Sequence, residues 1–247
     1  MSDGPALAEL AMINDLQRMQ VISQNLANVS TNGYRADLAT TVLFQPQLLQ
    51  AQSDLIAAPQ DTLTPRIQTV TSQLDGTIRF TGNPLDVALE GEAFFAIETP
   101  EGEAYSRDGA FQLNAAGSLI NATGFPVLGT SGMLRISTST PRIDKQGNLF
   151  ENEQFVGQLK LVRFANPELL VKTGGGYFVP IEGQMAQATE DTEEATVRQS
   201  YLENSNVQMS TEVVKMMELQ QHFRASGNLI RAYDNILNTA IGTIAEF

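Results

Sequence analysis

The stretch that decides how this chain is organised is residues 25–35, NLANVSTNGYR. It ends a short helical pattern at the N-terminus with a run of polar turn formers. The residues that we expect to fix this turn are Asn25, Asn28, Thr31, Gly33 and Tyr34. Gly33 is expected to take a backbone angle that a β-carbon would penalise.

A heptad stripe runs through the last segment of the chain. Its members, seven residues apart, are Met209, Met216, Phe223, Ile230, Leu237 and Ile244. A second, less regular seam follows three residues after five of them. The pattern predicts a helix from about residue 207 to residue 245, on the order of 57 Å long at 1.5 Å per residue. Such a helix is longer than the roughly 35 Å width expected of a compact middle domain.

The N-terminal segment offers this helix a partner. Its apolar arc consists of Met12, Leu16, Met19, Ile22, Leu26 and Val29, and Asp3, Gly4 and Pro5 precede it as a helix start signal. We expect the two helices to pair as a coiled-coil-like layer. Leu7, Leu10, Ile13 and Val21 point away from the arc, which indicates further contacts between chains. The alternative is a two-helix hairpin folded onto the middle domain.

Composition excludes several classes of protein. Of 247 residues, 42% are hydrophobic, yet no apolar run approaches the roughly 20 residues of a membrane span, so we expect no direct membrane insertion. The N-terminus lacks the basic and apolar regions of a secretion signal. The net charge of −13 argues against a nucleic-acid partner. There is no cysteine, which excludes disulfides and thiolate chemistry.

Between the helices the composition and residue pattern of the sequence change twice, first to a connector and then to β-rich runs. This predicts an α+β fold with an all-β middle domain. The predicted divisions are residues 1–35 for the first helix and turn, 36–74 for an extended connector, 75–200 for the β domain and 201–247 for the long helix. The connector has one short helical or strand piece near residues 43–51. In the β domain, short β-rich runs alternate with turns such as Asp108-Gly109 and Ala116-Gly117, where glycine supplies a positive φ. An acidic patch at residues 190–194 is expected to be a solvated linker.

Residues that point to chemistry are few. His222 is the only histidine and has no neighbouring ligand to share a metal, so we expect neither a metal nor a cofactor. No nucleophile elbow or phosphate-binding loop is present in the sequence. Asp86, Glu90 and Glu92 leave open a carbohydrate-cleaving carboxylate pair. A carbohydrate-binding or adhesive β-protein is a further alternative, but we expect the chain not to be an enzyme.

Residues 25–35 resemble the motif of the bacterial flagellar axial proteins, the rod and hook family. Four further blocks resemble the same family in the same order: TGNPLDVALEGEAFFAI at residues 81–97, YSRDGAFQLNAAGSLINATGFPVLG at 105–129, VGQLKLVRF at 156–164 and LENSNVQMSTEVVKMMELQQHF at 202–223. Together they cover both ends and the middle of the chain.

The resemblance implies a structural subunit of the basal-body rod in the periplasm, reached by flagellar type III export. Its partners would be the export apparatus, other flagellar rod proteins and copies of itself, packed by their terminal helices into a hollow filament that transmits torque. The interface residues it implies are Met12, Leu16, Met19, Ile22, Leu26, Met216, Phe223, Ile230, Leu237 and Ile244. The short chain and a connector without a glycine-rich stretch favour a proximal-rod member, with a distal-rod member as the alternative.

Overall fold

Two helices flank a β-rich middle, α1 (Asp3–Ala27) and α2 (Met209–Ala245). The computed structural model of the chain describes residues 3–44, 64–137, 140–180, 188–189 and 195–245. The predicted α+β class is confirmed, and α2 lies close to its predicted range of residues 207–245. Within the described residues, neither helix combines the length and apolar character needed to cross a bilayer.

The strands are short and are separated by turns. In chain order within the described residues they are β1 (Asp37–Phe44), β2 (Thr64–Thr71), β3 (Ile78–Phe80), β4 (Val87–Glu90), β5 (Ala93–Thr99), β6 (Gly102–Ser106), β7 (Gln112–Leu113), β8 (Leu119–Ile120), β9 (Leu128–Gly129), β10 (Gly132–Met133), β11 (Arg142–Ile143), β12 (Asn148–Glu151), β13 (Gln154–Gln158), β14 (Leu161–Phe164), β15 (Leu170–Thr173), β16 (Tyr177–Pro180), β17 (Ala188–Thr189), β18 (Thr196–Gln199) and β19 (Tyr201–Glu203). A 3₁₀ helix, Pro167–Leu169, precedes β15.

The chain divides into two compact units. The helical unit consists of Met1–Ala27, Asp37–Val70 and Gln208–Phe247, and the β unit of Asn28–Ala36 and Thr71–Val207. In the helical unit, β1 and β2 pair in a two-stranded sheet. The piece predicted near residues 43–51 falls almost wholly outside the described residues, and so does the acidic patch at 190–194.

A six-stranded antiparallel sheet with the order β15-β16-β6-β5-β14-β17 forms the centre of the β unit. Its strand β5 is buried on both faces, which explains the unbroken apolar run AFFAI at residues 93–97. Because successive side chains alternate, Phe95 and Ile97 enter one hydrophobic cluster while Phe94 and Ala96 enter another.

The last strands of the β unit in chain order pair with its first strands. β18 pairs with β4, and β19 pairs with β3 so that Glu203 lies opposite Ile78. The backbone N–H of Asn204 then donates to the Thr77 carbonyl at 2.9 Å. The residues that lead into α2 are therefore held beside the start of the β unit.

One predicted turn has a different physical cause from the one expected. Gly117 and Gly102 do take a positive φ, as the turn chemistry predicts. Gly109 does not, so that interpretation of Asp108-Gly109 was wrong. A β-carbon at Gly109 would lie 1.7 Å from the Val87 carbonyl oxygen, and the glycine is needed for this close approach of two backbones.

Candidate functional site

The segment after α1 is hydrogen-bonded to the segment before α2. Gly33 N–H donates to the Glu203 carbonyl at 2.8 Å, and Asn206 N–H donates to the Tyr34 carbonyl at 3.2 Å. We call residues 28–36 together with residues 203–207 the joint. Both parts belong to the β unit, so this unit by itself brings together the two segments that adjoin the terminal helices in the chain.

Asn206 connects three segments at the joint. Its Oδ1 accepts from Ala36 N–H at 2.7 Å, while its Nδ2 donates to the Leu74 carbonyl at 2.7 Å and to Ser72 Oγ at 3.4 Å. Only a side-chain amide offers an acceptor and two donors at one position. Replacement by aspartate would remove both donors and leave the Leu74 carbonyl without this partner.

The position of Gly33 admits no side chain. Its φ is +63°, and a β-carbon there would lie 2.4 Å from the carbonyl carbon of Arg107 and 2.5 Å from the backbone nitrogen of Asp108. The contacts are with backbone, which cannot rotate away as a side chain can. The backbone angle expected of Gly33 is confirmed, and close packing adds a second requirement for glycine.

Two buried arginines lie beneath the joint. Arg35 and Arg107 are each 2% exposed. Arg35 Nη2 lies 2.5 Å from Asp75 Oδ1, and Arg107 Nη1 lies 3.4 Å from Glu203 Oε2. The two cations and the two carboxylates balance in charge, which is the condition under which charged groups are tolerated in a protein interior.

Backbone groups and an aromatic ring also contact this charged cluster, although the Nε atoms of Arg35 and Arg107 have no hydrogen-bond partner among the described residues. Arg35 donates to the Gln73 carbonyl and Arg107 to the Gly91 carbonyl, the latter at 2.5 Å. The guanidinium carbons of Arg107 and Arg35 lie 5.1 and 5.9 Å from the centroid of the Phe94 ring, within the range of a cation–π contact. The cluster thus links the joint to the hydrophobic core.

Burial shifts the ionisation of the paired groups. It raises the pKa of the Glu203 carboxyl, and the nearby charge of Arg107 opposes this rise. Burial, followed by the charge of Arg35, lowers the pKa of Arg107. Arg107 nevertheless stays a cation, because guanidinium groups are not deprotonated in proteins.

Tyr34 and Lys172 fasten the joint to the edge of the six-stranded sheet. The ammonium nitrogen of Lys172, on β15, lies 3.4 Å from the centroid of the buried Tyr34 ring. It also donates to the Arg35 carbonyl at 2.7 Å. One lysine therefore holds two consecutive residues of the turn.

The remaining turn residues form local bonds. Thr31 N–H donates to the Asn28 carbonyl at 3.1 Å, and Thr31 Oγ1 donates to Asn28 Oδ1 at 3.2 Å. Asn25 lies in the helical unit, where its side chain forms two bonds with the backbone of Asp37, at 2.8 and 2.9 Å. The motif thus combines a turn in the β unit with an amide in α1 that fixes the first residue of β1.

On α2 the middle of the predicted stripe lies on the less exposed face of the helix, whereas its first member, Met209, is 54% exposed. Partly buried positions recur at Met216, Leu219, Phe223, Ser226, Ile230 and Tyr233. Large apolar side chains on the other faces are exposed, among them Met217 at 55% and Leu229 at 56%. The side chains of Leu237 and Ile244 lie outside the described residues.

On α1 the less exposed face is more polar than its apolar arc suggests. Ile22 is buried, and Met12, Met19 and Leu26 are partly buried, but Leu16 is 52% exposed. Asp15 is buried instead, and its Oδ2 lies 2.5 Å from His222 Nδ1 on α2. The list of expected interface residues therefore omitted Asp15 and its partner His222. Nothing in the sequence indicates that a polar residue beside an apolar stripe is buried.

The carboxylates considered for carbohydrate chemistry have separate partners. Glu90 pairs with Arg198 at 3.0 Å and Glu92 with Arg163 at 3.1 Å. Asp86 Oδ1 accepts from the Asn83 side chain at 2.8 Å. Among the described residues, no group of three or more histidine, cysteine or acidic side chains is arranged to hold a metal.

The distinctive features of this chain are the joint and the apolar faces of its helices. These features are typical of a structural protein. Comparison with known families agrees. Residues 7–35 match the flagella basal body rod protein family, 88–152 the flagellar hook protein FlgE/F/G D1 domain and 198–243 the flagellar basal body rod FlgEFG protein C-terminal family.

Full-length relatives give the same result. The chain is 30% identical to the flagellar basal-body rod protein FlgF of Mesorhizobium japonicum, over 100% of this chain and 99% of that protein. It is 30% identical to FlgG of Agrobacterium fabrum, over 94% of this chain and 95% of that protein. FlgF of Caulobacter vibrioides is 27% identical over 93% of each. The chain belongs to the flagellar basal-body rod protein family and is a structural subunit of the basal body.

The first prediction concerns Gly33. We expect Gly33→Ala to destabilise the β unit by about 2–5 kcal/mol, since it combines a left-handed backbone with overpacking against backbone. Gly174→Ala is the matched control, because a β-carbon at Gly174 meets nothing within 4 Å. Urea unfolding of both variants gives the comparison, and equal stabilities would contradict the close packing at Gly33.

The second prediction concerns the pH dependence of Glu203. A carboxyl whose pKa is raised on folding stabilises the folded state most below its unfolded pKa, and this contribution is lost as the pH rises through the folded pKa. The free energy of unfolding of the native chain minus that of Glu203→Gln should therefore fall as the pH rises above the ordinary carboxyl pKa of about 4. Urea unfolding at several pH values measures this difference. A difference that grows with pH would show that Arg107 lowers the pKa of Glu203 more than burial raises it.

Proposed function

We propose that this rod subunit assembles through its terminal helices, which pair with each other as a coiled-coil-like layer and with the helices of neighbouring subunits around a hollow axis. The observation that carries the proposal is the distribution of apolar side chains on α2. One face, containing Met216, Phe223 and Ile230, is partly buried, while Met217 and Leu229 on other faces are exposed. Exposed apolar surface of this kind marks contacts with other chains.

The joint gives this assembly a mechanical basis. Its backbone bonds, together with the buried contacts of Arg35 and Arg107, hold residues 28–36 and 203–207, which adjoin α1 and α2 in the chain, together within the β unit. A force on the helices then passes to the β unit through many buried bonds, since such groups are costly to separate. We propose that this is how the subunit takes part in torque transmission, and that it acts by assembly and not by catalysis.

Within the rod, we propose a proximal position. The similarity to FlgF of Mesorhizobium japonicum covers the whole chain, and the connector has no glycine-rich stretch. A distal position is the second candidate, which the similarity to FlgG of Agrobacterium fabrum supports. The partners in either position are other rod proteins and copies of this chain, and we propose that the subunit reaches the periplasm through the flagellar type III export apparatus.

The third prediction tests the helix interface. Phe223→Asp or Ile230→Asp should leave the β unit folded but prevent incorporation into the rod, because each places a charge within the partly buried face of α2. Urea unfolding of the purified chain shows whether the β unit is folded. Immunoblots of isolated basal bodies measure incorporation into the rod, and swimming in soft agar measures motility.

Asn228→Asp is the matched control, as it adds the same charge at an exposed position on the same helix. We expect cells with this variant to swim. Normal swimming by cells that carry only Phe223→Asp would refute assembly through this face.

A further inference from the structure

The helical unit contains a cavity of about 560 Å³ bounded by α1, β1 and α2. Four carboxylates line it, from Asp15, Asp37, Glu212 and Glu218, against the permanent cations of Arg18 and Lys215. The lining is therefore acidic. Its walls also include Val21, Ile22, Leu38 and Leu219, which offer apolar contact to the aliphatic stem of a long side chain.

Two of the lining carboxylates have ion-pair partners within the cavity, whereas Glu218 has none within the described part of the chain. Lys215 pairs with Glu212 at 2.7 Å, and His222 with Asp15 at 2.5 Å. Glu218 is exposed and has no hydrogen bond or ion pair among the described residues. The cavity therefore has an acceptor that is open to a cation from outside.

Arg18 supplies a second, independent observation. Its Nη2 donates to Thr41 Oγ1 at 2.5 Å, but its Nε is buried and has no hydrogen-bond partner among the described residues. A buried donor without a hydrogen-bond partner destabilises the folded state, so it calls for an acceptor. The occupant that fits the cavity must bring both a cation for Glu218 and an acceptor for Arg18.

The second half of α2 carries this combination. Arg224 and Arg231 are exposed and lie seven residues apart, so they share one face of the helix. Within the described part of the chain neither has an ion-pair partner. Asp234 is also exposed and follows Arg231 by three residues, on an adjacent part of the surface.

The two arginines lie on the opposite side of α2 from the cavity. Counting 3.6 residues per turn, Arg224 and Arg231 are roughly half a turn around the helix from Lys215 and His222. A helix with a receptor on one side and a complementary surface on the other makes a heterologous contact, which repeats without closing. The arrangement therefore fits a chain of identical copies better than an isolated pair.

We propose that the cavity receives the Arg224–Arg231 face of α2 from a second copy of this chain, with Glu218 as the acceptor for an arginine and Arg18 as the donor to Asp234. The proposal rests on assembly through the terminal helices and names one contact within it. Since the contact joins opposite charges near the surface, salt weakens it.

The fourth prediction tests this contact by exchanging the charges. In the purified full-length chain at low salt, Arg231→Glu and Glu218→Arg should each weaken self-association at least tenfold, and the double variant, in which the signs are swapped, should regain most of the loss. Sedimentation velocity over a range of protein concentrations measures the association, and added salt should weaken the native chain but leave the single variants nearly unchanged. Asn238→Glu is the control, because it adds a charge at an exposed position seven residues after Arg231.

The outcomes separate this contact from the assembly function as a whole. Recovery of self-association and swimming in the double variant supports the contact. Unchanged association in both single variants overturns it, and so does loss without recovery in the double variant when circular dichroism shows the native helix content. If Arg231→Glu swims normally while Phe223→Asp does not, the docking contact is wrong and assembly through α2 stands.

Discussion

The buried pair of Arg107 and Glu203 is the interaction on which the rest of the structure depends. Glu203 is the last residue of β19, and its backbone carbonyl accepts the bond from Gly33. Its carboxylate meets Arg107, whose own backbone lies against Gly33 so closely that no side chain fits. The pairing of β19, the turn after α1 and the segment that precedes α2 thus share one set of contacts, and breaking a buried pair leaves an uncompensated charge.

The two units have different roles in this arrangement: the β unit forms a folded core that contains the joint, and the helical unit offers apolar surface to neighbours. The joint belongs to the β unit, whose clusters around Phe94 and Phe95 give it a core of its own. The helices instead leave much of their apolar surface exposed, including Leu16 and Ile236. A terminal helix that gains its burial from neighbours can be ordered on assembly, and the cost of ordering it is lower when its root is already held.

Local patterns predicted the parts of the structure that local physics determines. Heptad spacing placed α2, start and turn signals placed α1, and the polar run after α1 identified Gly33. Sequence alone did not show that Arg107 meets Glu203, because 96 residues separate them and either residue reads as an ordinary surface charge. Asp15 was missed for a related reason, since its burial depends on a histidine in another helix.

Hydrogen exchange of the backbone amides, measured by mass spectrometry on the dilute monomer and on isolated rods, tests the central claim most directly. If the joint is built into the β unit and the helices are completed by neighbours, residues 28–36 and 203–207 are protected in both states. Most of α1 and α2 then gains further protection in the rod, since amide protection follows the stability of the local structure. Strong protection of both helices in the dilute monomer, equal to that of β5, would contradict the account and favour a self-contained helix pair.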